Sequence, residues 1–168
     1  LVKPTSGEIV YKNNPIGKES KAEIAYMPTE NFFYSYMSCI DAGKYFKDFF
    51  EDFDENRFYE YLKKMDLDPK QKIAKMSSGM TAKLKIAVTL ARDSKVIMLD
   101  EPLNGIDIIA RENIINAIIE NAKEDNAIII SSHLVDELEK VIDYAIFVKD
   151  GLVYDEGDAE CLRMKRGM

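Results

Sequence analysis

Val96-Ile97-Met98-Leu99-Asp100-Glu101 sets four apolar residues directly ahead of two carboxylates. A short apolar run of this kind suits a parallel strand buried on both faces. Its acids would then emerge at the carboxyl end, where open α/β sheets bind their ligands. One acid there can hold Mg²⁺, directly or through water. The next can orient or deprotonate an attacking water. A strand ending in a solvated Asp-Glu turn is common, so the flanking residues decide. Upstream, Met76-Ser77-Ser78-Gly79-Met80 opens a helical stretch. Downstream come Pro102-Leu103-Asn104-Gly105-Ile106-Asp107 and then Ser131-Ser132-His133.

Each flank has its own chemistry. Ser77 and Ser78 are suitable helix N-caps, and Leu84, Ala87, Val88 and Ala91 give the stripe of a core-facing helix. The start of such a helix offers free amides and a positive dipole to an anion. Gly79 lets that anion approach the backbone with no Cβ in the way. His133, at the end of the apolar run Ala127-Ile128-Ile129-Ile130, can donate one ring N–H to a phosphate oxygen while the other nitrogen bonds the protein.

In this order and spacing the motifs resemble the ATPase domain of ABC transporters. Ser77, Ser78, Gly79 and Met80 correspond to the signature motif, Val96 to Glu101 to Walker B, Asn104 to Asp107 to the D-loop, and His133 to the switch histidine. The resemblance runs from Pro4-Thr5-Ser6-Gly7 to Asp150-Gly151 and beyond, and is nearest to exporters whose signature ends in Gly-Met. It implies an α/β, P-loop NTPase-like ABC ATPase core, with a helical subdomain inserted at residues 31–76 of one partial domain spanning 1–168. It also implies ATP and Mg²⁺ as ligands. Asp100 would hold the metal, Glu101 would handle the water and His133 would bind the γ-phosphate. Ser77, Ser78, Gly79 and Met80 would meet ATP held by a second ABC ATPase domain, with Asp107 linking the two sites. A membrane-spanning transporter subunit would be the other partner, placing the protein at the cytoplasmic face of the cell membrane.

Two departures from the family pattern stand out. A P-loop needs Gly-x-x-x-x-Gly-Lys-Ser/Thr, so that backbone amides cradle phosphate and the hydroxyl meets Mg²⁺. The only candidate, Gly17-Lys18-Glu19-Ser20, has Lys12 at the first glycine position and Glu19 after the lysine, and reads as a polar turn. The N-terminal P-loop portion is therefore expected to be missing and the fragment alone inactive. The second departure is Thr29, which follows Pro28 where the family commonly has a metal-sensing Gln.

Around these motifs the elements follow from periodicity. Glu8 to Tyr11 and Ala22 to Met27 read as short strands beside an Asn-Pro-Gly turn region. Twelve of the seventeen Phe and Tyr residues fall between Phe32 and Tyr61. Phe46, Phe49, Phe50 and Phe53 repeat at helical spacing, as do Phe58, Tyr61, Leu62 and Met65, with Asp54 as a cap before the second set. By resemblance, Phe32, Phe33, Tyr34 and Tyr36 are candidates for receiving a helix of the membrane subunit. Asp107 to Ala122 reads as a helix burying Ile108, Ile115, Ile118, Ile119 and Ala122, and Ala127 to Ile130 as a buried strand. Leu134 to Val141 reads as helical. Ala145 to Val148 and Leu152 to Tyr154 form a hairpin through Lys149-Asp150-Gly151.

Composition narrows the alternatives. The 168 residues, 46% of them hydrophobic, can build a soluble globular core. No run approaches the roughly 20 apolar residues of a membrane span, and no secretory signal is evident. A net charge of −7 argues against a nucleic-acid surface. Cys39 and Cys161 supply neither metal spacing nor a disulfide framework. Two rivals to the transporter ATPase remain: a truncated module that only lends its signature helix to a complete partner, and an ABC-type ATPase acting on DNA or ribosomes. The latter class brings long coiled coils or paired domains with a basic linker, which this sequence lacks.

Overall fold

The chain first makes two small polar structures ahead of its sheet. Val10–Tyr11 (β1) and Asn14–Pro15 (β2) pair antiparallel through Lys12 and Asn13, both at positive φ. Lys18–Ala22 (α1) follows. The expected turn at Gly17–Ser20 is thus the start of a five-residue helix, closed by Gly17 N donating to Ser20 Oγ at 2.9 Å. The computed structural model describes residues 4–166, and these divide into two compact units between Ser132 and His133.

In the first unit, Ile24–Met27 (β3) leads through a loop to Cys39–Phe49 (α2) and Glu55–Lys64 (α3). A single 3₁₀ turn at Ile73–Lys75 precedes Ser78–Leu90 (α4), and then come Val96–Asp100 (β4), Ile108–Ile119 (α5) and Ala127–Ser131 (β5). The sheet order is β3-β4-β5, all parallel, with Leu99 opposite Met27 and Asp100 opposite Ser131. Helical crossovers between successive strands enforce that parallel arrangement.

α4 is the centre of the packing. Leu84, Ile86, Ala87, Val88 and Leu90 are fully buried, so the helix is enclosed by β3, α2, α3 and α5 rather than lying on one face. Ala25, Met27, Ile97 and Leu99 are buried on the sheet side of the core. Each such large side chain contributes about 1.5–3 kcal/mol by leaving water.

The aromatic segment forms the two expected helices. Ser38 and Asp41 make a reciprocal cap on α2, and Asp54 caps α3 by accepting from Asn56 N and Arg57 N. Phe53, Phe58 and Tyr61 are buried between these helices and α4, whereas Tyr34, Tyr36 and Phe49 stay exposed. Gly43 permits the α2–α3 approach: a Cβ there would stand 2.3 Å from the Phe58 ring.

Two expectations are corrected. Ile108 is 75% exposed and Ile119 43%, and Ala122 is also exposed. α5 instead buries Ala110, Ile114, Ala117 and Ile118, with Asn121 just past its end. The helix is apolar on several faces, so periodicity does not select one. Small residues that admit a close neighbour, and Asn121 bonding Arg57, Tyr61 and the Ala117 carbonyl, do. β5 is the outer strand of the described sheet, and Ile129 is 52% exposed rather than buried.

The second unit holds a short helix at Val135–Leu138 (α6), less than the expected Leu134 to Val141. The antiparallel pair Tyr144–Lys149 (β6) and Leu152–Asp158 (β7) turns through Asp150 and Gly151, both at positive φ. Ala159–Arg166 (α7) closes it. Among the described residues, no helix is long and apolar enough to cross a membrane.

Candidate functional site

The parallel register carries Asp100 to the carboxyl end of the middle strand, with Ser131 beside it on β5 and the loop after β3 on its other side. Both carboxylate oxygens are engaged there. Ser131 Oγ donates to Oδ1 at 2.5 Å and Thr29 Oγ1 to Oδ2 at 2.7 Å. These hydroxyls, Ser131 first, hold the Asp100 carboxyl below its usual range, and the Thr29 backbone N–H and the Lys85 ammonium add to the effect. Asp100 is thus a fixed anion at neutral pH.

Glu101 follows in the left-handed region, with φ of 48°. Its N–H donates to Ser131 O at 3.0 Å, and its own carbonyl accepts from Asn104 N at 3.1 Å. A non-glycine residue held there costs of order 1 kcal/mol or more, and such outliers cluster at functional sites. The turn continues through buried Pro102 and Leu103 to Gly105, at φ of 75°.

Gly105 lies against the start of α4. Ser77 is the N-cap, its Oγ accepting from Met80 N at 3.1 Å, and Ser78 and Gly79 form the first turn. The earliest amides of a helix have no partner within it, so this end can meet an anion. A Cβ on Gly79 would stand 2.9 Å from the Gly105 carbonyl oxygen. The glycine is therefore required by a contact inside the chain, in addition to any ligand. Met80 is half-buried behind it. Asp107 caps α5, accepting from Ala110 N at 2.9 Å.

These parts surround one cavity of about 610 Å³, lined among others by Thr29, Asn31, Ser78, Lys85, Glu101 and Gly105. Asp100, Glu101, Ser78 and Gly79 thus gather in one neighbourhood. His133 opens the second unit, exposed, two residues beyond the end of β5 in sequence.

Asp100 and Glu101 suit Mg²⁺ in one manner. Among the described residues, no group of three or more His, Cys, Asp or Glu side chains could hold a metal ion. Mg²⁺ is commonly bound by one or two carboxylates together with substrate phosphates rather than by an all-protein cage. A single oriented, ionised Asp100 fits that requirement.

Lys85 escapes the motif reading. It is 6% exposed in the middle of α4, and its ammonium donates to Pro28 O at 2.9 Å and Thr29 O at 2.7 Å. The available signal was a charge set among Leu84, Ile86, Ala87 and Val88 in an otherwise apolar run. The Ser131–Asp100 bond was likewise implicit in pairing the two strands in register.

Residues 1–104 match the family described as ABC transporter. The chain is 30% identical to the lantibiotic transport ATP-binding protein SrtF of Streptococcus pyogenes over 91% of its own length and 67% of that protein. It is 26% identical to the ABC transporter ATP-binding protein YtrB of Bacillus subtilis over 94% of its length. It spans only about half of YtrB, 55%. Among solved structures, the dimeric post-hydrolysis state of the ATP-binding cassette MJ0796 bound to ADP and Pi superposes with a TM-score of 0.78 at 19% identity, covering 94% of this chain and 75% of that one.

Proposed function

The chain belongs to the ATP-binding domains of ABC transporters, and from that premise we propose that it hydrolyses ATP, as part of a complete nucleotide site, to power export through a membrane subunit. The observation that carries this reading is Asp100, fixed by Thr29 and Ser131 at the carboxyl end of β4, directly followed by Glu101, which lines the same cavity as Ser78 at the start of α4.

In this reading Asp100, its carboxylate already ionised and aimed by Thr29 and Ser131, would hold Mg²⁺ together with the nucleotide's phosphate oxygens. The metal supplies charge neutralisation on the phosphoryl oxygens. Glu101 orients the attacking water and accepts its proton. The amides at Ser78 and Gly79, with Ser77 capping the same turn and Met80 behind it, meet the γ-phosphate held by a second ATPase domain. His133 would bind the γ-phosphate of the nucleotide that Asp100 and Glu101 serve, by donating a ring N–H, and Asp107 would link the two sites of the dimer.

No Gly-x-x-x-x-Gly-Lys-Ser/Thr run occurs in the 168 residues. The site therefore depends on a phosphate-binding loop that this sequence does not contain. The membrane partner would engage the aromatic surface ahead of α2. There Tyr34 and Tyr36 stack with ring centres 5.5 Å apart, at 53% and 70% exposure. The name of SrtF, a lantibiotic transport ATP-binding protein, supports a role in transport.

The test compares ATP turnover by residues 1–168 with turnover by the same residues joined to a phosphate-binding segment. We expect background activity from the first and magnesium-dependent turnover from the second. Turnover by residues 1–168 alone would refute the dependence on an added loop. No turnover by the joined protein would favour a module that only lends its signature helix to a complete partner.

A further inference from the structure

The first two residues of the loop after β3 are held by a buried cation. Lys85 projects from the second turn of α4, and its Nζ spans the carbonyls of Pro28 and Thr29. Burial is the main influence on this ammonium and lowers its pKa; the nearby carboxylates of Glu30 and Asp100 oppose that shift. A buried charge is retained at a cost, and here the cost fixes one dipeptide. The second residue of that dipeptide carries the hydroxyl that reaches Asp100. The Thr29 backbone N–H also favours the ionised form of the same carboxylate. Signature helix, loop and metal-side acid are therefore joined in series by hydrogen bonds.

We propose that Lys85 is a positioning residue that acts on Asp100 through Thr29. It anchors the loop to the signature helix and thereby seats the Thr29 hydroxyl on the carboxylate. This proposal rests on the ATPase reading only for its catalytic consequence. The family's usual Gln is absent at Thr29, and Lys85 supplies a different link, built from residues 56 and 71 positions distant from Thr29. A rotation of the start of α4 would be passed to Asp100 along it. A side chain present only to fill space would need neither an ammonium nor two carbonyl partners.

Two measurements decide. In the 168-residue chain, Lys85→Met keeps the side-chain length and removes the donors. Backbone NMR order parameters at Thr29 to Asn31 should fall to below about 0.6, while hydrogen-exchange protection within β4 and α4 is kept. Unchanged order parameters in that loop, or loss of protection throughout α4 and β4, would overturn the proposal. In the ATPase completed with its phosphate-binding segment, Lys85→Met and Thr29→Val should each lower kcat by about tenfold with the KM for ATP unchanged. The double variant should be no slower than the slower single one, because both act along one path. Thr29→Ser should restore turnover. Full turnover in Thr29→Val, or effects of the two substitutions that multiply, would show that Lys85 does not work through Thr29. Absence of turnover in the unsubstituted protein would count against the ATPase reading, and the order parameters would still judge Lys85.

Discussion

The two ends of β3 are held by two buried cations, Lys85 within α4 and Arg92 just past its end, and they are held differently. At the start of the strand, Arg92 donates to Ala22 O and Ile24 O and forks onto Asp52, with its guanidinium 3.9 Å above the Phe50 ring. Ser94 donates to Asp52 as well. At the far end, Lys85 meets only carbonyls, beside a cavity and the Asp100 carboxylate. The first end has its charge neutralised and every direction filled. The second keeps a partly uncompensated charge next to the candidate site. The contrast separates scaffold from device: a strand can be pinned rigidly at one end while the other stays adjustable.

Breaking the scaffold end should have the largest effect. Arg92→Met strands Asp52 and frees two carbonyls, and a half-broken buried pair costs about 3–5 kcal/mol. Since Asp52 retains some exposure, the lower part of that range is expected, read as a fall in the urea midpoint. Gly43→Ala attacks the same side of the molecule by sterics. Its Cβ would enter the Phe58 ring, and overpacking of this kind costs about 1–3 kcal/mol in the same assay.

Lys85→Met should change global stability by less than about 1 kcal/mol, because lost hydrogen bonds to an exposed loop are offset by relief of a buried charge. Its signature is pH. The folded-state pKa of Lys85 is lowered from 10.5, so the unfolded chain binds more protons in the window just below that value. Stability linked to Lys85 is complete above 10.5 and is lost as pH falls through the lowered folded value. The unfolding free energy of the parent relative to Lys85→Met should therefore rise with pH across that window. A flat difference would show that burial does not disfavour the ammonium.

The smallest effect is a reporter of the same comparison. Cys39 at the start of α2 is fully buried, and burial pushes its thiol up to about 11, while Cys161 is exposed. A thiol reagent at neutral pH should label Cys161 quickly and Cys39 only through opening. Arg92→Met should speed Cys39 labelling and Lys85→Met should leave it unchanged.

What the sequence reveals follows the same division. The strand end at Val96–Asp100 and the helix start at Ser77 were legible because strand ends and helix caps are local, and Asp54 and Ser77 cap the helices expected of them, whereas Asp107, read as the first helical residue, is the cap of α5. The helix Lys18–Ala22 was missed because it is short and polar, with no apolar stripe. The buried side of α5 was misread because isoleucines lie on several of its faces, and Ala110, Ala117 and Asn121 decide the packing. The bonds of Thr29 and Lys85 were invisible for another reason. They join residues more than fifty positions apart, and no local preference encodes them.

The central claim is that Glu101 activates water in an ATP site. Single-turnover hydrolysis by Glu101→Gln, in the ATPase completed with its phosphate-binding segment, tests it most directly. The amide keeps the shape of the side chain, while removal of the carboxylate takes away the proton acceptor. Nucleotide binding should be retained, an ATP-bound dimer should accumulate, and the hydrolysis rate should fall by roughly 10²–10⁴-fold. An unchanged single-turnover rate would show that another group handles the water and would contradict the account.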